Sequence, residues 1–403
     1  MRFVLANRHL IAAGGTEVHL VTIGEQLQRL GHEVTIYSPE IGPFGDHMRR
    51  RGLEVRDSLR ELPESCDVAF AQDTIVVYEL AQRYPDALSV FRVCGDMFDF
   101  QLPPQLDGVV DLVVVLSDRY GRAAEATAVR TPVLRLRLPI DTDRLVPLGP
   151  IRERPARAVV LGNYGERDDL VRDVWGRAGI DVRCIGGDLP DVQRYDLAEA
   201  LADADIVVAK NRAAVDAMAC GRAVYVFDVL GGDGWVTPEM YAPMEADLFW
   251  GQATDRIIDA AALERDLMDY RQEMGVVNRD LVLQHHGVRD HVIAMLDALG
   301  ERKPGERDPQ APLRELARQT AMAWSWEETA RQFRSMHWPL REAAGRVEEE
   351  AARARDAARH AAAERDAAVH EAEQLRVQID AMRGTRAWRL ATAWWWVKSR
   401  LGR

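Results

Sequence analysis

The chain has 403 residues, of which 52 are lysine or arginine and 64 are aspartate or glutamate, so its formal charge is −12 at pH 7. This length predicts two or three domains, and the 47% share of hydrophobic residues excludes a wholly disordered chain. The acidic balance argues against a body that wraps nucleic acid. The cysteines are far apart and form no C-x-x-C pair, which predicts neither a zinc site nor a disulfide framework but a reducing environment: Cys66, Cys94, Cys184 and Cys220.

The N-terminal part of the chain alternates strand-like and helix-like segments. Residues 2–6 read as a buried strand, residues 14–30 as an amphipathic helix that opens with two glycines, and residues 34–38 as a second strand. Further short apolar runs follow at helix-length spacing, at residues 68–71, 88–93 and 112–116. This alternation predicts a parallel sheet with helices on both faces.

The pattern restarts after residue 148. Strand-like runs are predicted at residues 158–161, 181–185, 205–209 and 223–227, with a weaker one at residues 248–250. The fold class is therefore α/β, with one Rossmann-like domain over residues 1–148 and a second over residues 149–299. Parallel sheets bind ligands beyond the carboxyl ends of their strands, so we expect a cleft between the two domains to hold the site.

The C-terminal quarter changes composition. Residues 300–312 are rich in proline and glycine and predict a linker, and residues 313–340 predict amphipathic helix. Residues 341–383 carry two heptad seams that are apolar except at Arg365, which predicts a coiled coil and a homo-oligomer. A single solvated helix is the alternative, because the many alanines bury little area.

The last segment, residues 384–403, is basic and rich in tryptophan. It has no acidic residue, and its tryptophans are Trp388, Trp394, Trp395 and Trp396. This composition suits a helix that lies on an anionic membrane surface. A docking or oligomerisation helix is an equal alternative.

A predicted strand that ends at residue 209 is followed by Lys210-Asn211-Arg212 and a helix that Gly221 closes. Two cations at a helix N-terminus beyond a parallel strand are typical of an anion site, because the backbone N–H groups and the helix dipole favour phosphate. Solvated cations on a surface loop are the alternative interpretation.

The segment that follows carries a resemblance. Residues 216–224, D-A-M-A-C-G-R-A-V, resemble the E-A-M-A-x-G-x-P-V stretch of GT-B glycosyltransferases of the family 4 type, with Asp216 in place of the glutamate. Three other stretches resemble that family in the same order and extend the resemblance over about residues 1–337. Residues 14–17 (G-G-T-E) with 31–34 (G-H-E-V) resemble the family's G-G-x-E and G-H-x-V. Residues 138–141 (L-P-I-D) resemble its N-G-V-D, and residues 324–330 (W-S-W-E-E-T-A) resemble its f-s-W-e-x-x-a.

The resemblance implies a GT-B fold whose body is closed by the helices of residues 313–340, and a metal-independent transfer of sugar from a nucleotide-diphosphate donor, without a cofactor. It implies that Lys210 and Arg212 stabilise the departing diphosphate and that Asp216 binds the donor ribose. The glycine-rich turn would form an acceptor or phosphate loop from Gly14, Gly15 and Thr16. Such preorganised charges replace the cation that other transferases use.

Two departures from the family pattern affect the site. The acid that the family carries eight residues before Asp216 is Val208 here. Where the family often has a histidine near the reacting sugar, this chain has residues 92–96, in which Asp96 is a candidate catalytic group or a helix cap.

Two further loops are candidate donor-binding elements. One contains Gly162 and Asn163, with Arg167 as the nearest basic residue. The other contains Gly231, Gly232 and Trp235, whose glycines could expose N–H groups and whose indole could stack on a base; a plain flexible turn is the alternative.

The acidic triplets at residues 141–143 and 203–205 lie at a domain junction and at a strand start, and His285, His286 and His291 lack i, i+4 spacing. We therefore predict no metal site.

We therefore expect a glycosyltransferase that acts on a glycan or lipid-linked acceptor in surface polysaccharide or glycolipid assembly. A sugar-nucleotide 2-epimerase and a non-catalytic GT-B-like scaffold that recruits a partner through its coiled coil are the rivals. No stretch reaches the roughly 18 apolar residues of a spanning helix, and the first apolar run is too short for a signal peptide, so we expect a cytoplasmic protein, with peripheral contact at the inner face of the membrane left open.

Overall fold

The structure is a computed structural model. It describes residues 1–127, 130–162, 166–185, 195–228, 231–300, 302–306, 310–384, 388 and 390, and between residues 311 and 384 many positions are described by their backbone alone. By its internal contacts the chain divides into two compact units, Met1–Glu315 and Leu316–Arg403.

The first sheet is parallel throughout its described strands. Its strand order is β5-β3-β1-β6-β7-β8-β9, in which the order reverses next to β1 as in doubly wound folds. The strands are β1 (Arg2–Ala6), β3 (Glu33–Tyr37), β5 (Glu54–Arg56), β6 (Val68–Ala71), β7 (Leu88–Arg92), β8 (Leu112–Val115) and β9 (Val133–Arg135), and a separate two-stranded ladder joins β2 (His9–Leu10) to β4 (Glu40–Ile41). The central strands are apolar along their length because both faces are covered.

Helices connect these strands, and short-range capping explains where several of them begin. Asp73 accepts hydrogen bonds from the N–H groups of Ile75 and Val76, and Ser117 accepts one from Tyr120. The helices of this half are α1 (Gly15–Arg29), α2 (Pro43–Arg50), α3 (Thr74–Arg83) and α4 (Asp118–Glu125).

The second sheet has the order β11-β10-β12-β13-β14, and its last strand is antiparallel. Its strands are β10 (Arg157–Leu161), β11 (Asp181–Ile185), β12 (Ile206–Ala209), β13 (Ala223–Asp228) and β14 (Gly231–Trp235). The described helices of this half are α5 (Glu166–Arg177), α6 (Leu197–Ala200), α7 (Asn211–Ala219), α8 (Pro238–Ala246), α9 (Ala260–Leu267), α10 (Glu273–His285) and α11 (Val288–Gly300). The predicted α/β class with two Rossmann-like sheets and a helical C-terminal extension is confirmed.

The predicted strand at residues 248–250 is wrong. Leu248 and Phe249 have φ values of 57° and 54°, which places both in the left-handed region and forms a turn after α8 instead of a strand. Both side chains are buried, so the apolar run reflects packing of the turn against the core.

The domain boundaries predicted at residues 148 and 149 stay predictions, because both sheets belong to the unit Met1–Glu315. Helix α11 ends at Gly300 and α12 (Ala311–Gly384) follows after a short segment whose Gly305 donates its N–H to Asp111. Seam residues Leu375 and Met382 are exposed in the single chain. A partner helix could cover them, and the coiled coil stays a prediction.

None of the described helices is long and apolar enough to cross a membrane. The basic, tryptophan-rich tail falls almost entirely outside the described residues, apart from positions 388 and 390. Its proposed membrane contact therefore stays a prediction.

A clamp joins the segment after the first sheet to the junction of α10 and α11. Ile140 donates its N–H to the carbonyl of His286 (2.8 Å) and accepts from the N–H of Val288 (3.0 Å). Buried His286 donates Nδ1–H to the carbonyl of Leu138 (2.8 Å), so its Nε2 accepts from the hydroxyl of Tyr241 (2.9 Å). Burial favours the neutral imidazole in this clamp.

We expect this clamp to weaken in acid. Burial lowers the pKa of His286 and of His291 to about 4, from an ordinary value of 6.5. Because the unfolded chain takes up these protons first, stability is lost as the pH falls from about 6.5 towards 4, by about 2 kcal/mol per histidine at pH 5. Urea unfolding at pH 7.5 and 5.0 measures this loss.

The loss should be smaller in His286→Gln, which removes one of the titrating groups. His360→Gln, at an exposed position of α12, is the matched control and should keep the full pH dependence. An equal loss of stability in His286→Gln and in the native protein would contradict the assignment to His286.

Candidate functional site

A cavity of about 550 Å³ lies between the two sheets, at the carboxyl ends of their strands. Loops that follow β1 and β7 line it from the first half, and loops that follow β10, β11 and β12 line it from the second half. Most of the residues predicted for the site meet here: Gly14, Gly15, Thr16, Asp96, Gly162, Lys210, Arg212 and Asp216. The topology explains this convergence, because parallel strands all deliver their following loops to the same edge.

The first turns of α7 place a buried ion pair on the cavity wall. Arg212 and Asp216 are one helical turn apart, and Nε of Arg212 lies 3.4 Å from Oδ2 of Asp216. Their side chains are only 8% and 9% exposed. All three guanidinium nitrogens of Arg212 and Oδ1 of Asp216 lack a hydrogen-bond partner among the described residues.

Burial sets the electrostatics of this pair. It lowers the pKa of Arg212 and raises the pKa of Asp216, and the attraction between the two opposes both shifts. Unsatisfied buried charges are costly in a folded protein. The pair is therefore arranged for a polar ligand that supplies the missing hydrogen bonds.

The backbone at the start of α7 is strained. Asn211 has a φ of 54°, a conformation that asparagine tolerates better than most residues, and its N–H donates to the carbonyl of Phe249 (2.8 Å). Its side-chain Oδ1 accepts from the N–H of Arg212 (2.8 Å). Strain of this kind concentrates at ligand sites, and here it lies directly before Arg212.

Lys210 is neutralised within the protein. Its Nζ forms an ion pair with Asp228, which ends β13, and also lies 4.8 Å from the centre of the Trp250 ring. Arg119 lies 5.1 Å from the centre of the same ring. Sequence reasoning missed both Asp228 and Trp250, because neither is close to Lys210 along the chain.

The glycine-rich turn forms the start of α1 and opens into the cavity. Gly14 is the N-cap, no side chain caps this end, and Gly15 and Thr16 also line the cavity. A Cβ added at Gly15 would meet no atom within 4 Å, whereas one at Gly14 would lie 2.4 Å from a carboxylate oxygen of Glu17. The turn leaves room for an anion beside Gly15, while the carboxylate of Glu17 lies beside Gly14 and pairs with His9.

Asp96 is held by an ion pair and does not cap a helix. Its carboxylate accepts from Nε of Arg119 at 2.6 Å, and Arg119 also contacts Asp247 (3.4 Å) and Gln252 (2.8 Å) from the second half. Asp96 thus lines the cavity beside a contact that joins the two halves. Its catalytic role stays a prediction.

Gly162 follows β10, has a φ of 121° and lines the cavity, while Asn163 falls outside the described residues. Arg167, the nearest basic residue, is fully buried and donates to the carbonyls of Leu161 (3.3 Å) and Phe227 (3.1 Å). It therefore fastens α5 to the sheet and does not line this cavity.

The predicted base-stacking loop is wrong. Residues Gly231–Trp235 form β14, and Trp235 is buried in an aromatic cluster with Trp175, Tyr225 and Tyr270. Its Nε1–H donates to the carbonyl of Asp266 (2.7 Å). A Cβ added at Gly232 would lie 2.4 Å from Ile258, so this glycine allows close packing instead of ligand contact. Gly231 lines a different cavity, beside Asp228 and Gly251.

Arg92 is a further residue of the cavity wall; it lies in the stretch 92–96, of which the sequence analysis singled out only Asp96. It ends β7, is buried and lines the cavity opposite α7. Its Nη1 donates to Oε1 of Gln72 (3.0 Å), while its Nε has no partner among the described residues. The position of this stretch was therefore the available sequence signal, but a single arginine at a strand end is too common to identify Arg92 by itself.

Among the residues that the structure describes, no cluster of three metal-ligating side chains occurs. The acids of the two triplets serve the protein itself: Asp141 accepts from Arg29 (2.8 Å) and Asp205 accepts from Arg152 and from the backbone N–H of Arg157.

No protein-family model and no curated protein sequence matches this chain. Solved structures similar to it include a sucrose-phosphate synthase from Thermosynechococcus elongatus, with 13% identity over 74% of this chain and 98% of that one and a TM-score of 0.46. A pneumococcal O-GlcNAc transferase in complex with UDP and GlcNAc has 9% identity over 75% and 99%, with a TM-score of 0.49. MurG of Acinetobacter baumannii has 12% identity over 75% and 100%, with a TM-score of 0.44.

The burial of Trp235 leads to a stability prediction. Trp235→Phe keeps an aromatic ring in the cluster but leaves the carbonyl of Asp266 without its donor, so we expect a loss of about 1–3 kcal/mol in urea unfolding. Trp250→Phe is the matched control, since Nε1 of Trp250 donates to no backbone carbonyl within the described part of the chain, and its effect should be below that of Trp235→Phe. Equal effects in the two variants would contradict a structural role for the Trp235 indole.

Proposed function

We propose that this protein is a metal-independent glycosyltransferase that moves a sugar from a nucleotide-diphosphate donor to a glycan or lipid-linked acceptor in cell-surface polysaccharide assembly. The observation that carries the proposal is the unsatisfied Arg212–Asp216 pair on the wall of the cavity between the two sheets. A diphosphate would satisfy the guanidinium, and ribose hydroxyls would satisfy the carboxylate. The sequence resemblance assigns these same roles.

The reaction breaks the bond between the anomeric carbon and a diphosphate oxygen, and the bonding electrons leave with the diphosphate. The acceptor hydroxyl forms the new bond to the anomeric carbon and loses its proton. Arg212 would stabilise the negative charge that develops on the leaving group, with the N-terminus of α7 behind it. Asp96 is the proposed acceptor of the proton, because its carboxylate lines the same cavity.

Lys210 would act differently from Arg212. Asp228 already balances its charge, so Lys210 contributes less net charge to the cavity than an unpaired lysine would. We propose that it contacts the diphosphate as a hydrogen-bond donor from the ion pair. No cofactor enters this scheme, and the cations of the protein replace a metal ion.

A coiled coil through α12 and a peripheral membrane contact through residues 384–403 complete the proposal. The exposed seam residues of α12 support the first part, and the basic, tryptophan-rich composition of the tail supports the second. The membrane contact would keep the protein at a cytoplasmic membrane face that carries lipid-linked acceptors.

The first experiment identifies the donor and tests Arg212. Melting temperature is measured with UDP, GDP, dTDP and ADP and their sugars; a ligand at about 100 times its Kd stabilises by about 2.7 kcal/mol. Arg212→Ala should then lower turnover of the selected donor, assayed with EDTA present, by about 10²-fold or more. Arg154→Ala, at an exposed loop position, is the matched control and should retain activity.

Other outcomes separate the rivals. Unchanged turnover in Arg212→Ala would remove Arg212 from the site, and loss of activity in EDTA that Mg²⁺ restores would contradict metal independence. Epimerised nucleotide sugar as product would identify an epimerase. No thermal shift with any nucleotide would favour the scaffold hypothesis.

The tail proposal predicts that deletion of residues 384–403 releases the protein from anionic vesicles, because each lost cation removes about 1 kcal/mol of attraction near anionic lipid. Vesicle co-sedimentation measures the release. Activity on a soluble acceptor should stay the same, and equal binding by both forms would exclude the tail as the membrane contact.

A further inference from the structure

The cavity contains two separate places that favour an anion. The first belongs to the second half and consists of Arg212 and the N-terminus of α7, with Lys210, whose charge Asp228 balances, beside them. The other belongs to the first half and consists of Arg92 and the uncapped N-terminus of α1, where Gly15 leaves open space. The proposed donor diphosphate accounts for only one of them.

Arg92 carries a buried charge without a carboxylate partner. The residue is 4% exposed, and no carboxylate of the described residues forms an ion pair with it. Glu17, in the first turn of α1, attracts Arg92 only at longer range and pairs with His9 (2.9 Å). By contrast, Arg119 pairs with Asp96, Lys210 with Asp228 and Arg212 with Asp216. A buried cation without a counter-charge is costly, so an anionic group from a ligand is the natural partner of Arg92.

The side chain of Gln72 holds Arg92 in place. The Gln72 side chain is fully buried, accepts from Nη1 of Arg92 (3.0 Å) and donates its Nε2–H to the carbonyl of Thr16 (3.1 Å). The amide thus ties the guanidinium to the first turn of α1. Gln72 thus fixes Nη1 of the guanidinium, whereas Nε has no hydrogen-bond partner among the described residues.

The two arginines also repel each other. Burial lowers the pKa of Arg92 first of all, and the charge of Arg212 lowers it further, while the carboxylate of Glu17 opposes both. One anion bound at α7 would balance the charge of Arg212 and leave the charge of Arg92 unbalanced. A second anion beside Arg92 would remove the remaining repulsion and the desolvation cost of this group.

We propose that Arg92 binds a carboxylate or phosphate group on a sugar unit next to the diphosphate, so that one substrate of this enzyme is an acidic sugar. This inference rests on the proposed function, which assigns the diphosphate to Arg212. Arg92 is then a specificity-determining residue that distinguishes an acidic sugar from a neutral one.

The test uses the protein saturated with whichever of UDP, GDP, dTDP or ADP binds best. Glucuronate, glucose 6-phosphate and glucose are titrated into this complex by calorimetry. We expect at least one acidic sugar to bind tenfold or more tightly than glucose, because a hydrogen bond to a charged group contributes about 1.5–3 kcal/mol. Preference for glucuronate would identify a carboxylate, and preference for glucose 6-phosphate a phosphate.

Two variants assign the preference to Arg92. Arg92→Gln should lose it and Arg92→Lys should keep part of it, while both retain the affinity for the nucleoside diphosphate, which also reports that the site is folded. Arg122→Gln, at an exposed position of α4, is the matched control and should bind as the native protein does.

Three results would overturn the proposal. The native protein could show no preference for an acidic sugar, or the preference could survive in Arg92→Gln. The third is that the native protein has no acid preference and Arg92→Gln binds the nucleoside diphosphate more weakly. The last result would place Arg92 in the diphosphate site itself. Failure of the native protein to bind any of the four nucleotides would instead contradict the proposed function, and the same titrations without nucleotide would then decide the ligand of Arg92.

Discussion

The site depends on the parallel order of the strands. Because every parallel strand is followed by a crossover, all carboxyl ends of one sheet lie at one edge, and the loops with chemical function are forced to that edge. Two such sheets in one compact unit turn these edges towards a common cavity. The clamp between Leu138–Ile140 and the α10–α11 junction holds the connecting segment in place, so the halves meet with defined geometry.

Within this frame, the protein concentrates buried charge on the cavity wall. The N-cap residues of α3, α4, α8 and α9 cap their helices, whereas those of α1, α2, α6, α7 and α10 do not. Of the second group, α1 and α7 begin at the cavity. The N-termini of α1 and α7 and the incompletely hydrogen-bonded Arg92 and Arg212 all favour a negatively charged ligand. The folded protein thus maintains a site whose polar groups are preorganised before a ligand arrives.

Much of the fold could be predicted because its signals are local. The apolar run of β1, the glycines before α1 and Gly221 after α7, with a φ of 67°, act through neighbouring residues alone. The two predictions that were wrong depend on contacts between residues far apart in the chain. Residues 248–250 are apolar because they pack in a turn, and Trp235 is buried because three aromatic residues from distant positions surround it.

The sequence by itself determined which residues could form strands, where helices begin, and that Lys210, Arg212 and Asp216 follow the end of a strand. Only the tertiary structure decided how their charges are balanced: Asp228 reaches Lys210 from a neighbouring strand, while Arg92 arrives opposite Arg212 from the other sheet without a carboxylate. The physical reason is that helix and strand signals act over a few residues, whereas burial and ion pairing depend on groups that only folding brings together.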